Sequence, residues 1–301
     1  MSQAEAPSLK DQKRNDDKRE ETKKANSNLA VRVATAAVGA PLIVALLYKG
    51  PPWGFFLLVF VATLIGSWEL FNMTHPGDRV SQSLGVLMTA LASVATYVAD
   101  GDARILVTIL VAVPLLGPLL TLVRLGDMQT AALRASAMGF GPLYVGVPLT
   151  LLALLRRDLG DGVGPGYVVV TIMFAWFADT GGYFAGRFLG KRKLYEAVSP
   201  KKTVEGAIGG LVGSVLGAVL AHFWFLPSLS LAHGIPLALV ASVFGQAGDL
   251  GESALKRSTG VKDSGAIVPG HGGILDRVDA LMLTSAVTYL YTLWIVPKGS
   301  P

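Results

Sequence analysis

Cysteine is absent from this chain of 301 residues, which rules out disulfides, thiolate nucleophiles and cysteine-ligated metal sites and is silent on compartment. Charge is scarce as well: Asp, Glu, Lys and Arg make up 16% of the residues, against 51% apolar. With a mean hydropathy of +0.51, that balance excludes an ordinary soluble domain. A secretory leader is not expected, because the first apolar run starts late and lacks a small-residue cleavage site. No convincing internal repeat is present. The net charge of +5 lies in short loops and makes no nucleic-acid footprint, so nucleic acid is not an expected partner.

What the chain has instead is a succession of apolar windows of 17 to 24 residues, each long enough to cross a bilayer core. Nine spans are expected, near Leu29–Tyr48, Trp53–Phe71, Ser83–Ala99, Ile105–Val123, Ala132–Leu155, Tyr167–Phe188, Val204–Leu226, Leu231–Ala247 and Val278–Val296. Breakers separate them, among them Gly50-Pro51-Pro52, Pro76-Gly77-Asp78 and the run from Gly160 to Gly166 with Pro165. The fold class is therefore all-α, a polytopic integral membrane protein. It divides into a polar tail over 1–28, a membrane region over 29–160 with five spans, and a second over 161–301 with four. The tail cannot bury a core and reads as disordered or as a frayed helix on the membrane surface. Trp53, Trp68, Trp176, Trp224 and Trp294 read as interface anchors and lipid contacts.

Lys and Arg orient the chain. With the N-terminus in the cytoplasm and nine alternating spans, 21 of the 26 basic residues fall on the cytoplasmic side. Lys49, Arg104, Arg156, Arg157 and Lys298 fall outside. This places the protein in the inner (plasma) membrane as a multi-pass chain, with its polar stretches where nucleotides are.

The longest of those stretches runs from Ser253 to Asp279, SALKRSTGVKDSGAIVPGHGGILDRVD. Ser253, Asp263, Ser264, Asp276 and Asp279 are oxygen groups suited to a hard cation, and Lys256, Arg257, Lys262 and Arg277 are cations beside them. Pro269-Gly270-His271-Gly272-Gly273 is a tight loop. A loop that only fixes topology needs neither that punctuation nor a pair of aspartates at i, i+3. Carboxylates, cations and flexible backbone together point to phosphate handling. Asp276 and Asp279 open the last span on one face, and capping of that helix is the plain alternative for Asp276. Asp249 and Ser253 share a face at i, i+4 on the preceding helix, with Glu252 beside them. All-oxygen ligands favour Mg²⁺ or Mn²⁺ over Zn²⁺, with a second, monovalent cation left open. His271 either hydrogen-bonds a departing phosphate or shapes its loop.

Upstream, Ser199-Pro200-Lys201-Lys202-Thr203 opens a helix and makes a triphosphate cradle, with simple positive-inside anchoring as the alternative. Glu205 is placed to pair with one of those lysines. Asp179 lies inside a span, where an ionisable group is costly and so marks a cavity. Glu69 invites the same argument. Gly209, Gly213 and Gly217 form a small-residue ridge that reads as helix packing.

Ser253-x-Leu255-Lys256-Arg257, then Lys262-Asp263, then His271-Gly272-Gly273-Ile274-x-Asp276-Arg277-Val278-Asp279 closely resembles the signature of the phosphatidate cytidylyltransferases (CDP-diacylglycerol synthases). The resemblance reaches upstream through Asp179 and the SPKKT run and covers roughly the C-terminal half. It implies that CTP and phosphatidate react to give CDP-diacylglycerol and pyrophosphate. Asp249, Asp276, Asp279, Lys262 and Arg277 are then expected to be catalytic, with Asp249, Ser253, Asp276 and Asp279 on the metal. Asp179, Ser199, Lys201, Lys202, Thr203, Ser253, Lys256, Arg257, Asp263, His271, Gly272 and Gly273 are expected to bind substrate. The bilayer is a partner, and a homodimer is left open. Two alternatives stand beside this. One is a cytidylyltransferase for another membrane lipid phosphate. The other is an ion-coupled transporter using Asp179, Asp249, Asp276 and Asp279, a class that usually spreads interrupted helices over two halves.

Overall fold

The computed structural model describes residues 39, 41–265 and 272–296. The tail over 1–28, most of the first expected span and His271 lie outside the described residues. Within them the chain is a bundle of helices with one small hairpin. The helices are α1 (Pro52–Thr74), α2 (Arg79–Val98), α3 (Ala103–Val123), α4 (Ala131–Gly141), α5 (Val147–Asp158), α6 (Gly160–Leu189), α7 (Val204–Trp224), α8 (Leu231–Ser258) and α9 (Leu275–Ile295). A five-residue π-turn, Pro142–Gly146, joins α4 to α5 and makes them one crossing, Ala131–Asp158. Eight helices among the described residues are then long and apolar enough to span a membrane. They coincide with the second to ninth expected spans. A helical segment over 41–49 is the end of the expected first.

Two helices are longer than hydropathy suggests. The Gly160–Gly166 run expected as a connection is instead the start of α6, with Pro165 inside the helix. There Gly164 sits against the carbonyls of Leu155 and Arg156, so the turn from α5 to α6 is too tight for any side chain. At its other end α8 continues past Ala247 to Ser258, carrying Asp249, Glu252, Ser253 and Lys256 on helical backbone. In hydrocarbon the helix satisfies its own amides, so it persists beyond the point where its side chains turn polar.

The hairpin pairs β1 (Lys193–Tyr195) with β2 (Ser199–Thr203), antiparallel, Lys193 opposite Thr203 and Tyr195 opposite Ser199. The SPKKT run is thus a strand that feeds directly into α7. The Thr203 hydroxyl caps that helix by accepting from the Gly206 amide at 3.1 Å. Helices α6 and α7 approach closely: a side chain at Gly181 would meet the Gly209 carbonyl, and one at Gly213 the Phe177 carbonyl. Gly209 and Gly213 are therefore the contact ridge, whereas Gly217 faces only ordinary neighbours.

One apolar core runs through both membrane regions, from Leu47, Phe55 and Val145 to Phe174, Ala241, Leu275 and Met282. Helix α9 packs against α1, α5, α6 and α8, so it belongs to both. All five tryptophans lie on the outside of the bundle. After α1 the chain is clasped by Asp78, which accepts from the Ser81 hydroxyl at 2.6 Å and pairs with Arg124 and Arg134 at 3.0 and 2.7 Å. Burial pushes the Asp78 carboxyl up, but the Ser81 and Arg124 contacts outweigh it and hold it well below the usual carboxylate range.

Candidate active site

The C-terminal ends of α6 and α8, the N-terminal ends of α7 and α9, the hairpin and residues 259–265 and 272–274 meet at one end of the bundle. Between them is a polar cavity of about 510 Å³ lined by Asp179, Asp249, Lys256, Asp263, Gly272, Asp276, Arg277 and Asp279. Asp179 lies ten residues from the end of α6 and Asp249 nine from the end of α8. At 1.5 Å per residue Asp179 and Asp249 lie roughly 13–15 Å along their helices from those ends. Gly272 turns at φ 78°, in the left-handed region that a glycine enters freely.

Two ion pairs cross the cavity. Lys202, from β2, pairs with Asp249 on α8. Lys256 lies between Asp276 at 2.6 Å and Glu252 at 2.9 Å. The other oxygen of Asp276 accepts from the Ser264 amide at 3.0 Å, the Ser264 hydroxyl at 2.9 Å and the Gly273 amide at 3.1 Å. Reaching back to Gly273 is the reciprocal half of a capping arrangement. The two aspartates that share a helical face are therefore engaged very differently. Asp276 is occupied on both oxygens by its own loop and Lys256. Asp279 accepts from its neighbouring Ala280 amide at 2.6 Å and otherwise faces the carboxylates of Asp249 and Glu252.

Other expected site residues take varied places. The Ser253 hydroxyl points to Asp249 at 3.5 Å, the outer limit of a hydrogen bond. Arg257 reaches the Val198 carbonyl at 3.5 Å and the Val261 carbonyl at 3.4 Å, leaning across to the hairpin. Lys201 and Lys262 are exposed and, like Ser199, are not on the cavity wall. Thr203 is buried in its capping role, and Gly273 is buried with its amide on Asp276. Glu205 does not pair with Lys201 or Lys202. It accepts from the backbone amides of Lys191 and Arg192 at 3.0 and 3.2 Å, closing the α6–hairpin turn.

Three groups from outside the expected site reach it. Glu252 is fully buried, with Lys256 on one oxygen and no hydrogen-bond partner on the other. Its signal was its place among Asp249, Ser253 and Lys256. Tyr144, on the π-turn, buries a hydroxyl without a partner close to the same carboxylates. Its distance in sequence hid it. Glu69, on α1, is fully buried and accepts from the amides of Ile274 and Leu275 at 3.1 and 2.8 Å and from the Ser264 hydroxyl at 3.1 Å.

The cavity wall carries five carboxylates and two cations. A phosphate compound cannot enter such a lining without additional positive charge. Hard oxygens without sulfur or imidazole suit Mg²⁺ or Mn²⁺. Among the described residues no three metal-binding side chains converge closely enough to cage an ion alone. Mg²⁺ usually takes one or two carboxylates and fills its other positions with water and substrate phosphate.

The sequence matches the cytidylyltransferase family over residues 30–295. It is 33% identical over 260 residues to a phosphatidate cytidylyltransferase of Staphylococcus haemolyticus (strain JCSC1435), covering 84% of this chain and 95% of that protein. The corresponding protein of Staphylococcus saprophyticus is 34% identical over 263 residues, again with 84% and 95% covered. A phosphatidate cytidylyltransferase of Synechocystis sp. is 31% identical over 297 residues, 88% of this chain and 97% of that one.

Proposed function

This chain belongs to the cytidylyltransferase family, and from that premise we propose that it is a phosphatidate cytidylyltransferase of phospholipid biosynthesis. It joins CTP and phosphatidate to give CDP-diacylglycerol and pyrophosphate. A lipid phosphate oxygen attacks the α-phosphorus of CTP, the bond from that phosphorus to the β-phosphate oxygen breaks, and pyrophosphate leaves with the electron pair. A phosphomonoester is largely ionised at neutral pH, its second pKa being about 6, so the attack needs no strong general base. The obstacle is repulsion between two anions and a wall that is itself anionic.

The chain's own cations meet part of that need. Lys256 and Arg277 line the cavity, Lys202 pairs with the lining residue Asp249, and Lys201, Arg257 and Lys262 are exposed cations on the hairpin, the end of α8 and the following loop. Together they would gather a triphosphate and stabilise the charge that develops on the leaving pyrophosphate. Asp249 and Asp279, with Ser253 beside Asp249, would hold a divalent ion, and Asp179 lines the same cavity. Such an ion, when bound, neutralises phosphate charge. Asp276 borders the same space but would have to give up Lys256 to join them. The observation that carries this reading is the polar cavity in which five carboxylates and the cations of α8 and α9 converge, with Lys202 of the hairpin paired to Asp249 on its wall. The distribution of Lys and Arg supports a cytoplasmic orientation of the site in the inner membrane.

The test is transfer by purified protein from radiolabelled CTP to a panel of lipid phosphates, with Mg²⁺ titrated. Labelled CDP-diacylglycerol, formed only with phosphatidate, CTP and Mg²⁺ together, is the expected result. Transfer to a different lipid phosphate but not to phosphatidate would reassign the acceptor, and no nucleotide turnover at all would overturn the reading.

A further inference from the structure

The first membrane region has no residue on the cavity wall, yet one of its side chains reaches the elements that build the wall. Glu69 stands five residues before the end of α1 and has no exposed surface. One of its oxygens accepts from the Ile274 amide and the other from the Leu275 amide and the Ser264 hydroxyl. Ile274 and Leu275 are the cap and first residue of α9. Their amides are among those a helix leaves without an internal partner, and they carry the positive end of its dipole. A buried carboxylate is costly in a membrane protein unless such donors satisfy it. The fit is close, because a side chain at either Gly265 or Gly273 would collide with Glu69.

The contacts continue in one direction. Ser264, whose hydroxyl lies between Glu69 and Asp276, also gives its amide to Asp276. Asp276 holds Lys256, and Lys256 holds Glu252 on α8. An unbroken polar chain therefore runs from α1 through Ser264 and α9 to α8. Asp279 is one turn along α9 from the anchored end, so the seating of Leu275 on Glu69 fixes where Asp279 projects. We infer that Glu69 is a positioning residue for cytidylyl transfer: a carboxylate of the first membrane region that sets the register of α9 and its preceding loop, and through them the reacting carboxylate Asp279. The inference rests on the transferase reading given above. It makes the first region part of the catalytic apparatus rather than only its membrane support.

The experiment compares Glu69→Gln, Glu69→Ala and Ser264→Ala with the parent protein in lipid nanodiscs. Three measurements are taken: turnover, thermal unfolding, and hydrogen exchange of peptides covering 259–280. Misplacement of a reacting group by about 1 Å costs up to about a hundredfold in rate. Glu69→Ala is expected to lose about that factor in kcat. Glu69→Gln, whose carbonyl can still serve one side of the site, is expected to lose roughly tenfold, with KM for CTP within about threefold in both. Exchange over 259–280 should quicken by roughly tenfold or more while α2 and α3 keep theirs, because only the local opening is made easier. Ser264→Ala, which removes the bridging hydroxyl and leaves both backbone amides, should fall between parent and Glu69→Gln. It carries the test if the Glu69 variants do not accumulate. Parental kcat in Glu69→Gln overturns the inference. So does lost kcat with unchanged exchange over 259–280, and so does activity that only tracks the amount of folded protein. If the parent itself fails to turn over CTP and phosphatidate, the transferase reading fails, whereas the exchange result still reports on the clasp.

Discussion

Replacing Asp279 and Asp276 one at a time by asparagine separates a reacting carboxylate from an anchoring one, although the two stand three residues apart on one helix. Asp279 lies beside the carboxylates of Asp249 and Glu252 and accepts from one backbone amide. Its charge is therefore poorly compensated within the protein. Asp279→Asn should cost two to three orders of magnitude in kcat, the usual loss of one preorganised charge contact, and should raise the Mg²⁺ concentration needed for half-maximal rate. Removing one of several like charges should leave the melting temperature unchanged or higher. Asp276 is the opposite case, because it holds Lys256 at 2.6 Å and accepts three further hydrogen bonds from Ser264 and Gly273. An asparagine there turns an amide group toward either Lys256 or the loop donors. Hydrogen bonds to charged groups contribute about 1.5–3 kcal/mol each. At roughly 2–4 °C per kcal/mol for chains of 150–250 residues, losing one such bond lowers the melting temperature by roughly 3–12 °C. Turnover of Asp276→Asn should also fall, by about tenfold or more as α9 loosens, but its Mg²⁺ midpoint should stay within about threefold of the parent. Initial rates across a Mg²⁺ titration and unfolding curves from the same preparations read both quantities. An Asp279→Asn protein that keeps more than about a tenth of parental turnover at an unchanged Mg²⁺ midpoint refutes the role given to Asp279. A midpoint displaced as far by Asp276→Asn as by Asp279→Asn refutes the division between them.

Orientation can be read with single cysteines, since the chain has none of its own. Lys193→Cys and Ser258→Cys, both at exposed positions, should react with an impermeant thiol reagent only from the cytoplasmic side. Gly162→Cys, where a side chain would meet open space, should react only from outside, and labelling of Ser258→Cys from outside in intact cells would reverse the orientation. Helix packing can be read at the α6–α7 ridge. Gly213→Ala drives a methyl group into the Phe177 carbonyl, whereas Gly217→Ala meets nothing closer than 3.5 Å. The first should destabilise by about 1–3 kcal/mol or more and the second hardly at all, and equal melting temperatures would refute the close approach.

The spans were legible because a bilayer leaves the backbone few options: about twenty apolar residues in a row must close their own hydrogen bonds as a helix. Hydropathy loses the helix where side chains turn polar although the backbone continues. That is why α8 reads as ending at Ala247 and runs on to Ser258, and why the Gly160–Gly166 run reads as a connection. The hairpin was not legible. A strand of Ser, Pro and two Lys has little intrinsic β preference, and only its pairing with Lys193–Tyr195 makes it one. In the site, spacing shows which face a residue occupies and is silent on its partner. Periodicity put Asp276 and Asp279 together, but Lys256 and Ser264 decide that the first is tied down. Glu205 shows the same limit, since proximity in sequence suggested Lys201 or Lys202 and the fold supplies the Lys191 and Arg192 amides.

The order of charges along the network explains why some carboxylates here are structural and others reactive. Glu69 is matched by two amides and Asp276 by an ammonium and two amides, and the one Ser264 hydroxyl proton is shared between them. Asp249 has one lysine, shared with any phosphate that enters. Asp279 has one amide, and Glu252 leaves an oxygen with no partner beside it. Compensation thus declines from the loop inward toward the floor of the cavity. Uncompensated negative charge at membrane depth is unfavourable, and it is relieved only by cations arriving with the substrate. A fold that left the floor neutral would be more stable alone and would have no reason to draw a divalent ion and a nucleotide together. On the transferase reading, a lipid phosphate would enter from the side while its chains stay in hydrocarbon, and would meet the carboxylates that α6, α8 and α9 place on the cavity wall, Asp179, Asp249 and Asp279.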